Sequence, residues 1–224
     1  MRVIVRVGGS VVASPLNVSL IGRYVDLLKK LQEEGHEVVA VVGGGSLARE
    51  FIRVAAGQGL VQAERDWAAI YVSRLFARLF VLCLGGVGCE GVPVSLDEAD
   101  ACLGEGKVVV MGGLRPGMTT DAVAALVGER VKADLLVKAS NVDGIFTKDP
   151  KKYADAEKLD ELKFEDLAGL FEENRHKAGI HQILDPEAVK ALRRCRLRTV
   201  VVNGFDVENV VAAVEGERVG TVIE

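Results

Sequence analysis

The chain has 224 residues, 49% of them hydrophobic but only 5% aromatic, and a net charge of −4. That length suits one large α/β domain or two small ones, with ample apolar material for a core. The slight acidity argues against a general nucleic-acid binder. Cys83, Cys89, Cys102 and Cys195 form no C-x-x-C pair and are not grouped with His36, His176 or His181 as a zinc site requires.

Reduced thiols are the expectation from that cysteine pattern. The chain opens directly on a strand pattern, which predicts no signal peptide, and no apolar run is expected to reach the length of a membrane span. A soluble, cytoplasmic protein follows as the expectation.

Residues 3–7 read as a short buried strand ending in Gly8-Gly9-Ser10. Residues 20–34 form an amphipathic helix pattern, with Ile21, Val25, Leu28 and Leu31 on one face and Gly35 as its stop. The apolar run 38–42 is too short for a free-standing helix, and its β-branching suits a strand buried on both faces. Gly43, Gly44 and Gly45 follow, and Ser46 opens a helix to about Ala55 with Leu47, Phe51 and Ile52 on one side. A glycine run at a strand end lets the backbone approach a ligand, and the helix behind it offers unpaired N–H groups to phosphate.

Asp66 stands near the start of a long helix through Leu84, as an N-cap or first-turn acid. Gly86 to Gly91 matches G-x-G-x-x-G, but it follows a helix and precedes an extended piece, so it reads as a connector. Residues 107–111 form the next strand, followed by GGLRPGMTTD from Gly112 and a helix over 122–131. That turn has the outline of a P-loop without its lysine and with a shorter spacing, and Thr119, Thr120 and Asp121 as simple helix caps are the lesser alternative. A strand over 134–139 leads into a turn-rich stretch, Ser140 to Pro150. Leu159, Leu162 and Phe164 precede a helix from near Glu165. A helix over 186–194, a strand over 199–202, a helix over 207–214 and a strand over 218–223 complete the chain. The basic run Lys190, Arg193, Arg194, Arg196 and Arg198 reads as a solvated helix end, with an anionic effector or subunit contact as the sharper alternative.

Alternating strands and helices with short loops imply a three-layer α/β/α sandwich around a mostly parallel sheet. Ligands of such sheets lie beyond the carboxyl ends of the strands. The turns RVGGS, VVGGGS, VVMGGLRPGMTTD and LVKASNVDGIFTKDP can all share that edge. Their backbone N–H groups, two hydroxyls and the cations Arg6, Arg49, Arg115, Lys138 and Lys148 suit several phosphates, as phosphoryl transfer requires. None of these turns holds a His or an evident general base. An acceptor that is itself a phosphate monoester, with a second pKa of about 6, needs none.

At these loops the chain resembles the amino acid kinase family, and within it the archaeal-type uridine monophosphate (UMP) kinases. The similarity runs through GGSV from Gly8, VVGGGSLARE from Val41, Arg65-Asp66, VVMGGLRPGMTTDAVAAL from Val109, SNVDGIFTKDP from Ser140, KAG at Lys177 and LDP at Leu184. It implies a single domain over residues 1–224, whose N-terminal part binds UMP and whose C-terminal part binds Mg²⁺ with ATP. On the UMP side it implies Gly44, Asp66 at the ribose, and Leu114, Arg115, Pro116, Gly117, Met118, Thr119 and Thr120 around phosphate and base. On the ATP side it implies Gly9, Ser10, Gly45, Arg49, Ser140, Asn141, Phe146 and Asp149. Catalytic roles are implied for Arg49, Ser10 and Thr120, with no metal held by the protein itself.

The resemblance also implies a homohexamer built from dimers, with neither nucleic acid nor membrane as partner. Arg6 stands where many relatives have Lys, Ala69 where Gly is usual and Phe76 where Asn is usual; the last two bear on the acceptor. Rival readings are a family member phosphorylating a carboxylate or carbamate, and a non-catalytic nucleotide-binding or storage homologue.

Overall fold

Runs of β-branched residues become the strands of one seven-stranded sheet. The computed structural model describes residues 1–150, 152–167 and 184–224. Strands β1 (Arg2–Val7), β2 (Glu37–Val42), β3 (Val109–Met111), β4 (Leu135–Ser140), β8 (Thr199–Asn203), β9 (Thr221–Ile223) and β7 (Glu161–Leu162) build it in the order β3-β2-β1-β4-β8-β9-β7. The first five run parallel, β9 runs antiparallel to β8, and β7 runs parallel to β9. A separate hairpin pairs β5 (Ile145–Phe146) with β6 (Lys158–Leu159).

The α-helices that lie wholly within the described residues are α1 (Gly9–Val12), α2 (Val18–Glu33), α3 (Gly45–Gly57), α4 (Gln62–Leu84), α5 (Leu96–Gly104), α6 (Thr120–Val131), α7 (Pro186–Cys195) and α8 (Glu208–Glu215). Strand side chains alternate between faces, so the sheet feeds two cores. Val3, Val5, Val7, Val38, Ala40 and Val42 join one core with α2, α4 and α8. Ile4, Val39, Val41 and Leu136 join the other with α5, α6 and α7. This is the expected α/β/α sandwich.

Several local expectations change. In α3 the buried residues are Ala48 and Ala55, while Phe51 is 50% exposed. Phe51 and Val54 turn outward, while Leu47 is half-buried against the first core. Helix α5 and the short strands β6 and β7 were not foreseen. Ser95 caps α5 by accepting from the Glu98 N–H at 3.1 Å, and the Glu98 carboxylate accepts from the Val94 N–H. Gly85–Val87 forms a 3₁₀ turn, so the G-x-G-x-x-G run is indeed a connector.

That connector brings Cys89 beside α5, where it is disulfide-bonded to Cys102 across a Cα–Cα distance of 6.0 Å. The expectation of four reduced thiols is thereby corrected, since sequence spacing alone does not show which cysteines meet; Cys83 and Cys195 are free. The expectation about apolar runs is corrected too: Gln62–Val87 is long and apolar enough to cross a membrane. Its inner face, however, carries Phe76, Ala77, Phe80, Val81 and Leu84 into the first core. The KAG motif, His176, His181 and most of the helix expected from Glu165 fall outside the described residues.

Candidate active site

Parallel pairing places the carboxyl ends of β3, β2, β1 and β4 side by side, and the loops leaving β1 and β2 interlock. A Cβ on Gly9 would lie 2.2 Å from the Gly45 amide nitrogen. Gly45 has φ +61°, and its own Cβ would lie 2.3 Å from the Ala13 carbonyl oxygen. Two backbones can meet so closely only where side chains are missing. The glycine run was expected to make room for a ligand; Gly9 and Gly45 make room for each other. Arg49, one turn into α3, is exposed, and its Nη2 lies 3.4 Å from Ser14 Oγ. Ser10 is half-buried in α1.

The register of the sheet creates a buried charge cluster beneath these loops. Ile4 and Arg6 share one face of β1, and Leu136 and Lys138 share the same face of β4, with Arg6 directly opposite Lys138. Asp121, in the first turn of α6, sits between the two cations. Its Oδ2 accepts from Lys138 Nζ at 2.5 Å. Its Oδ1 lies 2.7 Å from Arg6 Nε, an ion contact off the hydrogen-bond direction. Burial alone would raise the Asp121 carboxyl, but the charges of Arg6 and Lys138 outweigh it and hold it below the usual range. Burial pushes Lys138 down to about 8 against the opposing pull of Asp121.

The two threonines before Asp121 divide their work. Thr119 caps α6, its Oγ1 accepting from the N–H groups of Asp121 and Ala122 at 3.1 and 3.2 Å. Its own proton goes to Asp185 Oδ2. Thr120 Oγ1 instead accepts from Arg6 Nη2 at 2.9 Å. A hydroxyl that accepts from Arg6 keeps its proton for another acceptor, so Thr120 is equipped to donate to an anion at the sheet edge.

Beside this cluster, α4 and the loop after β3 enclose a cavity of about 380 Å³, within the range of small-ligand sites. Asp66, Ala69, Ile70 and Ser73 line it from α4, Gly44 and Ala48 from α3 and its cap, and Gly113 and Gly117 to Thr120 from the loop. Asp66 does not cap α4, whose first-turn acid is Glu64. Its Oδ1 accepts from Gln62 Nε2 at 2.7 Å and its Oδ2 from the Gly117 N–H at 2.8 Å. Ser73 Oγ accepts from the Gly113 N–H at 2.8 Å, and Arg74 donates to the carbonyls of Gly113 and Leu114 at 2.9 and 3.0 Å. Four hydrogen bonds from one helix thus fix the loop.

Gly44, Asp66, Gly117, Met118, Thr119 and Thr120 therefore come together, while Leu114, Arg115 and Pro116 lie on the same loop outside the cavity lining. Gly9, Ser10, Gly45 and Arg49 lie at the ends of β1 and β2, and Ser140 and Asn141 at the end of β4. Phe146 lies on β5 and Asp149 just beyond it, in the separate hairpin that follows β4. Of the expected cations, Arg6 and Lys138 are engaged by Asp121, and Lys148 pairs with Asp155, leaving Arg49 and Arg115 exposed. In the C-terminal basic run, Lys190, Arg194, Arg196 and Arg198 each pair with a glutamate, which fits a solvated surface rather than an open anion site.

Asp121, Ser73, Arg74 and Asp185 carry more of the site than the sequence reading assigned them. Only the TTD triplet and the LDP run hinted at two of these. Among the described residues no group of three His, Cys, Asp or Glu side chains could hold a metal ion. The donor set here is N–H groups and cations, which fits phosphate oxygens and not a bare cation. The buried acid Asp121 is taken by Arg6 and Lys138.

The amino acid kinase family profile matches residues 1–203. A uridylate kinase of Methanocella arvoryzae is 41% identical over 224 residues, spanning 100% of both chains. One from Methanobrevibacter smithii is 38% identical over 221 residues, covering 99% of this chain and 98% of its own. The crystal structure of a uridylate kinase from Archaeoglobus fulgidus superposes with a TM-score of 0.89 at 36% identity, covering 100% of both chains. A UMP kinase from Bacillus anthracis shares the fold, with a TM-score of 0.83 at 22% identity over 100% of this chain and 95% of its own.

Proposed function

The chain belongs to the amino acid kinase family, and from that premise we propose that it is a UMP kinase converting ATP and UMP to ADP and UDP. The observation that carries the reading is the cavity of Asp66 and the loop Gly113 to Thr120, opening beside a Gly-rich sheet edge. UMP occupies that cavity, with Asp66 accepting from the ribose hydroxyls through lone pairs left by Gln62 and Gly117. ATP lies across Gly9, Ser10, Gly45, Ser140, Asn141, Phe146 and Asp149, with Mg²⁺ arriving as part of that substrate. Residues 1–224 act as one domain, the N-terminal part holding acceptor and the C-terminal part donor.

The step is an in-line displacement. A UMP phosphate oxygen forms a bond to the γ-phosphorus as the bond to the β,γ-bridging oxygen breaks, and ADP leaves with that electron pair. The acceptor is already dianionic, so no base is required. Thr120 donates its free proton to a phosphate oxygen. Arg49 and Ser10 stabilise the transferring group, and the net positive cluster of Arg6, Lys138 and Asp121 lies behind it.

Assembly into dimers, and from these a hexamer, is supported by the outer face of α4. Tyr71, Leu75 and Leu82 are each more than 60% exposed there, along one stripe with Trp67 and Leu79. A cytoplasmic location accords with this metabolic role. Initial rates with Mg·ATP and UMP, CMP, AMP or N-acetylglutamate test the function. Faster turnover of a competitor overturns the substrate, and ATP binding with no transfer to any acceptor favours a storage or binding role. Light scattering of the purified protein tests assembly, and a monomer at micromolar concentration overturns it.

A further inference from the structure

We propose that Asp185 is a positioning residue for the acceptor, locking the cavity-lining Thr119 to the C-terminal half of the chain. One carboxylate does two jobs. Its Oδ1 caps α7, accepting from the N–H groups of Glu187 and Ala188 at 2.9 and 3.1 Å. Its Oδ2 takes the hydroxyl proton of Thr119, 66 residues away in sequence. Thr119 Oγ1 in turn caps α6 with its lone pairs. The starts of two helices are thus joined through a single Thr–Asp contact, and α6 and α7 pack along each other in the second core.

The proton arithmetic gives the link its consequence. A threonine hydroxyl has one proton and two lone pairs, and at Thr119 all three are committed. The Thr119 hydroxyl therefore has no hydrogen-bonding capacity left for a ligand, and the turn Gly117 to Thr120 is held from both ends. Asp66 holds Gly117 from α4, and Asp185 holds Thr119 from α7. Loss of the Asp185 end leaves the hydroxyl proton without its acceptor and frees the turn to rotate against the cavity.

Asp185→Asn separates the two jobs. Asn caps helices as well as Asp does, so its amide oxygen can keep the α7 cap. Its NH₂ group then faces the Thr119 hydroxyl, donor against donor. Deuterium exchange followed by mass spectrometry should show faster exchange over residues 113–122 in Asp185→Asn, with residues 188–195 protected as in wild type. The kinetic arm rests on the UMP kinase reading: KM for UMP should rise about three- to tenfold, as for one lost charge-assisted hydrogen bond, while kcat and KM for ATP change less than twofold. Thr119→Ser, which keeps the hydroxyl, should leave exchange over residues 113–122 as in wild type. Thr119→Val with Asp185→Asn should cost less than the product of the single effects, because both break one contact.

Unchanged exchange over 113–122, multiplicative single effects, or a KM for ATP moving with that for UMP would each overturn the proposal. Failure of the wild type to phosphorylate UMP would sink the substrate reading alone, since the exchange comparison decides the link without turnover.

Discussion

Replacing Asp121 by Asn removes the negative charge that contacts both Arg6 and Lys138. The Asp121, Arg6 and Lys138 side chains are 13%, 15% and 4% exposed, so water cannot compensate the two cations left behind. Breaking a buried pair by deleting one partner costs about 3–5 kcal/mol. The Asn amide can still accept from one cation, which favours the lower end, about 3 kcal/mol. For a chain of this size that corresponds to a Tm loss of about 6–12 °C at pH 7. Lys138, already pushed down to about 8 by burial, loses the Asp121 charge that holds it up and falls further. The unfolded chain titrates this lysine at about 10.4, so between the folded and unfolded values the unfolded state holds the extra proton and stability rises with pH. The variant enters that window at lower pH than wild type. Its deficit should therefore narrow as pH rises from 6 towards 8 and stay constant above, where both proteins gain alike. Thermal unfolding of both proteins across that range is the assay. A loss below about 2 °C at pH 7, or a deficit that widens towards pH 8, would refute the reasoning.

Arg49→Ala should lower kcat by about 10²–10³ with little change in KM for UMP, because in the proposed mechanism this exposed cation acts on the transferring group in the transition state; a pure KM effect would place Arg49 on the wrong side of the site. Asp66→Asn should weaken UMP and shrink its preference over dUMP, as a neutral amide replaces the anionic acceptor for ribose hydroxyls. In pH–rate profiles kcat/KM should fall above about pH 8 as Lys138 loses its proton, and Lys138→Arg should remove that limb. Phe76 is 6% exposed in the first core, so Phe76→Asn should cost about 3–5 kcal/mol of stability in denaturant titrations while leaving the order of acceptors unchanged.

The sheet was legible because buried parallel strands write themselves as short β-branched runs, and Val3, Val39 and Val110 need no partner information to be recognised. The sheet edge was legible for the same reason, since the glycine turns follow those runs directly. Pairwise events were not. Asp121 reads as a helix cap until the register sets Arg6 opposite Lys138. Cys89 and Cys102 read as separate thiols until the connector after α4 folds back. Arg74 carries no signal in the sequence, and only the fold brings its guanidinium to the Gly113 and Leu114 carbonyls. Helix α5 was hidden for a different reason: its nine residues bury only Ala99 and Leu103, too few for a periodic signal, although Ser95 and Glu98 announced its start.

Helix α4 explains both the clearest misreading and the two departures from the family pattern. Its apolar residues surround it, so it carries little one-sided amphipathic signal and resembles a membrane span by length and composition. Three faces nevertheless have three different neighbours. Phe76, Ala77, Phe80 and Leu84 enter the core against the sheet. Asp66, Ala69, Ile70 and Ser73, spaced three and four apart, line the cavity. Trp67, Tyr71, Leu75 and Leu82 point outward. Ala69 and Phe76 therefore answer to different demands despite being seven residues apart on one helix. A methyl at Ala69 trims the cavity, which, if UMP binds there as proposed, can shift discrimination by only about 1–3 kcal/mol. The ring at Phe76 packs in the first core, outside the cavity lining. Of the two, only Ala69 lines the cavity, so under the proposed UMP kinase reading only it can act directly on acceptor choice, and only weakly.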